Sequence, residues 1–469
     1  MPQASPVHYN RYGARVLRSV AWLVGCLGAF AACASAADRP TVVLVGLGAL
    51  RADVAERDDV APTLQLLARR GVHFTAAYSN VPWPRGAAAT VLSGALSHRH
   101  GVHSPLDPLA PDVTLLSERA RDQGYDTVAV VSHFDLDPVF GFGRGFLSFD
   151  ARLPLPIVGN HLSPLPVPSL FFGDLGRDRS LRGAKLQSNA RRPDDWTAEA
   201  ALATLSKYRG RDLFLWVSFF GPSQTWIDDE LHFRSRADYE ARVRFLDEQL
   251  ARLARGIDAL RQARDALIIL YGDSGFALLE HSDYGAGNSL YEPSVRVPLV
   301  VVWLGKVPQG RVVTEPVSLL DLAPTLADLL GWGNEPQWRG HSLRPWLTEE
   351  GDAPKPRTVF LETSLPATLA ASREVRDEQG RARRIGIRLQ AVRAGRYKLI
   401  RREAHPLIDV PHPDPVPAGA QRTSDSWELY DLLSDPAEQH NVAASAPHVL
   451  EDLTRKLREW NPSGRGPSE

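Results

Sequence analysis

The sequence predicts an α/β fold: a doubly wound, mostly parallel sheet sandwiched by helices, with a small C-terminal α+β subdomain. Three observations carry that expectation. Short continuous apolar runs recur along the chain, as in strands buried on both faces. Stretches with a single apolar stripe at helical spacing lie between them. After about Leu347 the pattern changes to short strands at hairpin distances.

Thr41-Val42-Val43-Leu44-Val45 is the first buried-strand run, and Pro62 to Arg70 reads as a helix with Leu64, Leu67 and Ala68 on one side. Asp126 to Val131, Asp212 to Phe220, Ala266 to Tyr271 and Val297 to Trp303 repeat the strand signature. Between two of these, Val243, Leu246, Leu250, Leu253, Ile257 and Leu260 form one stripe on a long helix. Such alternation predicts a layered α/β sandwich. Leu153 to Phe172 holds five prolines, a density that neither a helix nor a central strand tolerates, so it reads as a surface loop. In the tail, Val359 to Glu362, Leu389 to Arg393, Tyr397 to Arg401 and Glu428 to Leu432 read as strands, and Val449 to Trp460 as a closing amphipathic helix. The expected division is therefore 1–36, 37–347 and 348–469.

The first of these segments reads as an address, not as fold. Arg11, Arg15 and Arg18 precede an apolar run from Val20 to Ala32, and Cys33-Ala34-Ser35-Ala36-Ala37 follows. The run is shorter than the roughly twenty apolar residues of a membrane span. A cut after Ala36 gives a secreted chain; lipid attachment at Cys33 or Cys26 gives an anchored one, and the sequence leaves both open. Either way the chain is expected to cross a bacterial inner membrane. Both cysteines lie in this segment, so a chain cut at Ala36 has no disulfide. Acids and bases nearly balance, 55 against 54, with no basic patch for a nucleic-acid partner.

Several motifs recur in a telling order. Leu50-Arg51-Ala52-Asp53 follows the first strand, and Pro82-Trp83-Pro84-Arg85 leads into Val91-Leu92-Ser93-Gly94 and then His100-Gly101-Val102. Gly124-Tyr125-Asp126-Thr127, Ser289-Leu290-Tyr291-Glu292, Asp321-Leu322-Ala323-Pro324-Thr325 and Gly395-Arg396-Tyr397-Lys398-Leu399-Ile400 come next. Glu428-Leu429-Tyr430-Asp431-Leu432 and Asp435-Pro436-Ala437-Glu438 close the series. The ordered set resembles the sulfatase family of the alkaline-phosphatase-like superfamily, over nearly the whole chain past the leader.

That resemblance implies a calcium or magnesium ion held by Asp, Asn or His, and a Cys-, Ser- or Thr-derived nucleophile at a helix N-terminus. The chemistry positions depart from it one by one. Pro84 stands at the nucleophile, and proline has no side-chain atom that attacks an ester. Gly48 and Ala49 stand where the family places an Asp, Ser223 where it places a His, and Ala286 before Gly287 where it places another His. Gly272-Asp273-Ser274 keeps one carboxylate and loses the His beside it. The expected remnant pocket is thus Gly48, Pro84, Arg85, Ser223, Asp273, Ser274 and Ala286, with Asp273 the residual metal candidate.

Neighbouring residues do not repair the loss. Thr90 lies six residues past Pro84, about 9 Å along a helix. Pro84 suits the first turn of a helix, where its missing N–H costs nothing. Arg85 reads as a solvated side chain or structural ion pair, with anion binding the alternative. His98 and His100 read as structural, Glu280, His281 and Asp283 as solvated loop residues, and a lone His133 at a strand end decides nothing. Two readings follow: an inactive sulfatase-like pseudoenzyme that binds or scaffolds without a cofactor, or an active sulfuric or phosphoric ester hydrolase with a rebuilt site and a divalent cation. The expected partner is an anionic, sulfated or phosphorylated ligand or a protein.

Overall fold

The main sheet is built from β1 (Thr41–Leu47), β2 (Val72–Tyr78), β3 (Asp126–Val131), β4 (Ser148–Asp150), β5 (Leu213–Phe219), β6 (Ala266–Gly272), β7 (Arg296–Val302), β8 (Arg311–Val313) and β9 (Val317–Ser318). In this computed structural model the described residues are 39–103, 107–152, 157–158, 161–162, 192–222, 235–261, 265–348, 357–363, 373–376, 382–406 and 426–460. The leader with Cys26 and Cys33, Ser223, and most of the proline-rich stretch lie outside them. Residues from Thr41 onward form one compact unit. Among the described residues, no helix is long and apolar enough to cross a membrane.

The spatial order is β8-β2-β7-β6-β1-β5-β3-β4, with β9 beside β2. β1 pairs in parallel with β5 and β6, and β3 in parallel with β5 and β4. β7 runs antiparallel to both its neighbours, so the apolar run there marks burial and carries no information on direction. Its register against β2 shifts between Val297 and Leu299, at Pro298, which has no N–H for the ladder. The sequence reading missed β2 because His73 and Thr75 interrupt its apolar positions.

Helices cover both faces, as doubly wound sheets require. On one face α1 (Pro62–Arg69), α3 (Asp194–Lys207) and α4 (Arg236–Arg261) pack on Val43, Val45, Leu215 and Val217. The α4 stripe of Val243, Leu246, Leu250, Leu253 and Ile257 is buried there, each side chain contributing about 1.5–3 kcal/mol. On the other face α2 (Pro84–Ser93) and α6 (Leu322–Leu330) meet Val42, Leu44, Phe214 and Trp216. Between them in sequence, α5 (Glu292–Val295) is a single turn leading into β7.

The tail forms a second, antiparallel sheet from β10 (Thr358–Thr363), β11 (Arg373–Arg376), β12 (Ala382–Ala394), β13 (Tyr397–Pro406) and β14 (Ser426–Asp431). Ala394 pairs with Tyr397, which leaves a two-residue Gly395-Arg396 hairpin turn with Gly395 at φ 56°. Helix α7 (Pro447–Trp460) buries Leu453 and Leu457 against Val392, Leu399 and Leu429. Val359, Leu361, Ala391 and Ile400 pack instead on Tyr78, Leu290 and Val295 beside the main sheet, so the two sheets share one compact unit.

Candidate functional site

Parallel strands β1, β3, β5 and β6 end at one edge of the sheet, the place where open α/β sheets assemble their sites. Gly48, His133, Phe220 and Asp273 follow those four strands. Asp273 is held at several points. Its N–H donates to the Leu47 carbonyl at 3.1 Å, and its own carbonyl accepts from the Ser79 hydroxyl at 2.6 Å. Its Oδ1 accepts from the Ala49 N–H at 3.0 Å and from the Ser274 hydroxyl at 2.9 Å. The residue is 5 % exposed. Burial raises its pKa to about 6, with the Ala49 N–H, His133 and Ser274 opposing.

The Gly48 position is closed by main chain. A Cβ there would lie 2.4 Å from the Phe220 carbonyl oxygen and 2.9 Å from that of Phe219. Reciprocally, a Cβ on Gly221 would lie 2.1 Å from the Gly48 oxygen, and Gly221 adopts φ +68°. Asp194, at the start of α3, fixes this approach by accepting the N–H groups of Phe220 and Gly221 at 3.0 and 3.1 Å. Burial pushes Asp194 up to about 7, those two N–H groups opposing. Beside it Ala49 takes a left-handed φ of 51°. The Tyr239 hydroxyl clamps that turn, donating to the Ala49 carbonyl at 2.7 Å and accepting from the Arg51 N–H at 2.9 Å.

Pro84 is the first residue of α2, and Trp83 before it is extended with no side-chain cap. Arg85 is not solvated: its side chain is 1 % exposed. Nε donates to the Asp135 carbonyl at 2.7 Å, and the guanidinium lies 3.3 Å over the Phe140 ring. Burial lowers its pKa to about 10, opposed by Asp135, Asp107 and Asp137. His133 is buried edge-on against Phe220, with Nδ1 3.7 Å from Asp135 Oδ2. Neither of its ring nitrogens makes a hydrogen bond among the described residues.

The remaining candidates divide. Ala286 packs on the same core as Phe276 and Leu278, as a hydrophobic filler. His100 is structural: Nδ1 accepts from the Val102 N–H, Nε2 lies 3.5 Å from the Thr90 hydroxyl, and burial holds its pKa down to about 3. His98 is exposed. The 280–283 loop has no buried residue, as expected of a solvated loop, but its side chains are engaged. Glu280 accepts from Arg51 at 2.6 Å, and His281 stacks on Tyr291 with centroids 3.7 Å apart. Leu279, His281 and Ser282 all adopt positive φ. Sequence reasoning missed Asp194 and Asp135. Asp194 carries no motif signal, and Asp135 sits two places past the His133 that had been noticed.

These residues do not fit the divalent cation of the resemblance. Such an ion takes several oxygen ligands. Among the described residues, no group of three or more His, Cys, Asp or Glu is arranged to hold one. Asp273 Oδ1 instead accepts from an N–H and an O–H, which offset its charge without a cation.

The profile of the family described as Sulfatase matches residues 40–332. The chain belongs to the sulfatase family. It is 27% identical over 237 residues to an N-acetylglucosamine-6-O-sulfatase of Bacteroides thetaiotaomicron, covering 48% of this chain and 36% of that one. It is 30% identical over 228 residues to a choline-sulfatase of Rhizobium meliloti, covering 49% and 37%. These two matches span little more than a third of the relatives' own length. Bovine (Bos taurus) arylsulfatase A is 26% identical over 475 residues, covering 92% and 89%. Among solved structures, a 2-O GAG sulfatase superposes with a TM-score of 0.66 at 18% identity, over 90% of this chain and 92% of that one. The phosphonate monoester hydrolase of Agrobacterium radiobacter gives 0.61 at 21%, over 90% and 95%. The likeness carries the sulfatase fold, with its mostly parallel sheet and antiparallel tail sheet.

Proposed function

We propose that this sulfatase-family chain is a pseudoenzyme, an exported protein that binds or scaffolds without hydrolysing sulfate esters. One observation supports the reading: Gly48 is closed against the Phe219–Phe220 main chain, and Asp273, the carboxylate that remains, is bonded to Ala49 and Ser274. Pro84 adds the absence of a nucleophile. The ligand class is the one suggested by relatives named for sulfated sugars, a sulfated or phosphorylated anion, with a protein partner the alternative. The leader supports secretion, or anchoring through Cys33 or Cys26, and mass spectrometry of the mature N-terminus separates the two. The test of inactivity is hydrolysis of aryl sulfate and aryl phosphate by the pure chain. No turnover is expected; turnover that Asp273→Ala abolishes overturns the reading.

The second reading, a hydrolase with a rebuilt site, is favoured by His133 alone. A buried imidazole 3.7 Å from the Asp135 carboxylate, with neither nitrogen hydrogen-bonded among the described residues, keeps both nitrogens available to take a proton once a small shift brings the carboxylate into hydrogen-bond reach. It predicts metal-independent turnover of an ester that His133→Ala removes.

A further inference from the structure

Lys398 of β13 is fully buried, with Nζ 2.9 Å from Glu292 Oε1 and 2.7 Å from Glu438 Oε1. The three groups come from three segments: Glu292 opens α5, which leads into the main sheet, Lys398 lies in the tail sheet, and Glu438 sits in the loop after β14. Glu438 is 1 % exposed and holds φ +56°, strained for a side chain of its size. Its Oε2 also accepts the Glu292 N–H at 2.6 Å, so the loop caps the start of α5. Two carboxylates face one ammonium, with Lys398 and Glu438 out of contact with water and Glu292 13 % exposed, which leaves one negative charge in excess among the three when both are ionised. The guanidiniums of Arg296 and Arg393 favour charge on Glu292, whereas Glu438 has Lys398 alone as its cation and Glu292 against it. Tyr78 of β2 lies 3.3 Å from Glu292 Oε2, and Arg296 of β7 lies 3.8 Å away, already committed to Glu56 at 2.6 Å. Arg393 of β12 donates to the Tyr78 hydroxyl at 3.3 Å.

We infer that Glu292, Lys398 and Glu438 form a proton-operated clasp between the tail sheet and the loops of the candidate site. With a proton on Glu438 the cluster is neutral and the loop 432–441 is seated on α5. Without it, a buried unbalanced charge loosens that loop. Burial raises the pKa of Glu438 to about 7, Lys398 opposing and Glu292 adding to the rise. Burial also disfavours charge on Glu292, but Lys398 outweighs it and holds that carboxyl low, so the exchangeable proton belongs to Glu438. The effect reaches the site through backbone. The carbonyls of Ser294 and Pro293 in α5 accept from Gly275 and Phe276, next to Asp273 and Ser274, and His281 Nε2 lies 3.1 Å from the Ala437 carbonyl.

Amide hydrogen exchange of the full chain between pH 6 and 8, corrected for the intrinsic rate, tests the clasp. Protection in 432–441 and 292–295 is expected to fall about tenfold over that range in the wild type and to stay level in Glu438→Gln, which mimics the protonated acid. An equal fall in Glu438→Gln overturns the inference. Should that variant fail to fold, the wild type decides alone: unchanged protection from pH 6 to 8 also overturns it.

Discussion

The backbone N–H of Ala49 donates to the carboxylate of Asp273 across 224 residues of chain, at 3.0 Å. That bond joins the ends of two neighbouring strands, and it engages one oxygen of the carboxylate that the family resemblance would give to a cation. Calcium, magnesium or manganese would find a single carboxylate here, already engaged at Oδ1 by Ala49 and Ser274, and no group of three or more His, Cys, Asp or Glu among the described residues, too few ligands for binding. A ligand that does not bind the folded state does not stabilise it. Thermal unfolding in EDTA and in millimolar cation is therefore expected to give the same midpoint within about 1 °C. A rise that Asp273→Ala abolishes would show a metal site and move the hydrolase reading ahead.

Restoring the family's carboxylate does not restore the site. In Gly48→Asp the new Cβ meets the Phe220 carbonyl at 2.4 Å, and a backbone oxygen held through Asp194 cannot step aside as a side-chain tip can. Overpacking costs about 1–3 kcal/mol, and contact with main chain belongs at the upper end. Gly48→Ala is expected to carry most of that cost, since the clash is at Cβ. Urea melts of the two variants check it; a Gly48→Asp chain as stable as wild type that gains cation binding would refute the closed position.

The frame was legible in the sequence because buried strands and striped helices have periods that survive divergence. Thr41–Leu47 and the Val243-to-Ile257 stripe lie where the apolar pattern places them. The direction of β7 was not legible, since a strand buried on both faces has the same composition whichever way it runs. At the site, the sequence shows what is missing at Gly48, Pro84 and Ser274 but not what replaces it. The Ala49–Asp273 bond uses a backbone N–H, which leaves no residue signature. At Arg85 the sequence left a solvated side chain and a structural ion pair open, and the structure has the pair, because nothing in a sequence says that an arginine will find Phe140 and Asp135 some fifty residues on.

Asp273 also makes a pH prediction. Its folded pKa is raised above the ordinary carboxylate value to about 6, so its contribution to stability is complete below about pH 4 and is lost as pH rises through 6. The shift corresponds to roughly 2–3 kcal/mol. Asp194, raised to about 7, adds a loss of the same sign over a slightly wider window. Stability measured by urea at successive pH values is expected to fall between pH 4 and 7, and Asp273→Asn to flatten the part below 6. A slope identical in wild type and Asp273→Asn would show that the carboxyl titrates normally.

Arg85 separates a structural remnant from a working anion site. Its guanidinium is committed to the Asp135 carbonyl and the Phe140 face, inside the protein. Removing it leaves a cavity over Phe140 and the Asp135 carbonyl without its donor, a change of about 2–4 kcal/mol that comes mostly from lost packing, since the Asp135 carboxylate is 42 % exposed and screened by solvent. Lysine keeps the charge but neither the planar stacking nor the directed Nε bond, so Arg85→Lys is expected to lose part of the same stability. Both variants should unfold earlier, while affinity for a sulfated ligand, measured well below the transition, stays within about twofold. A variant that folds normally and loses the anion would place Arg85 in the binding site instead.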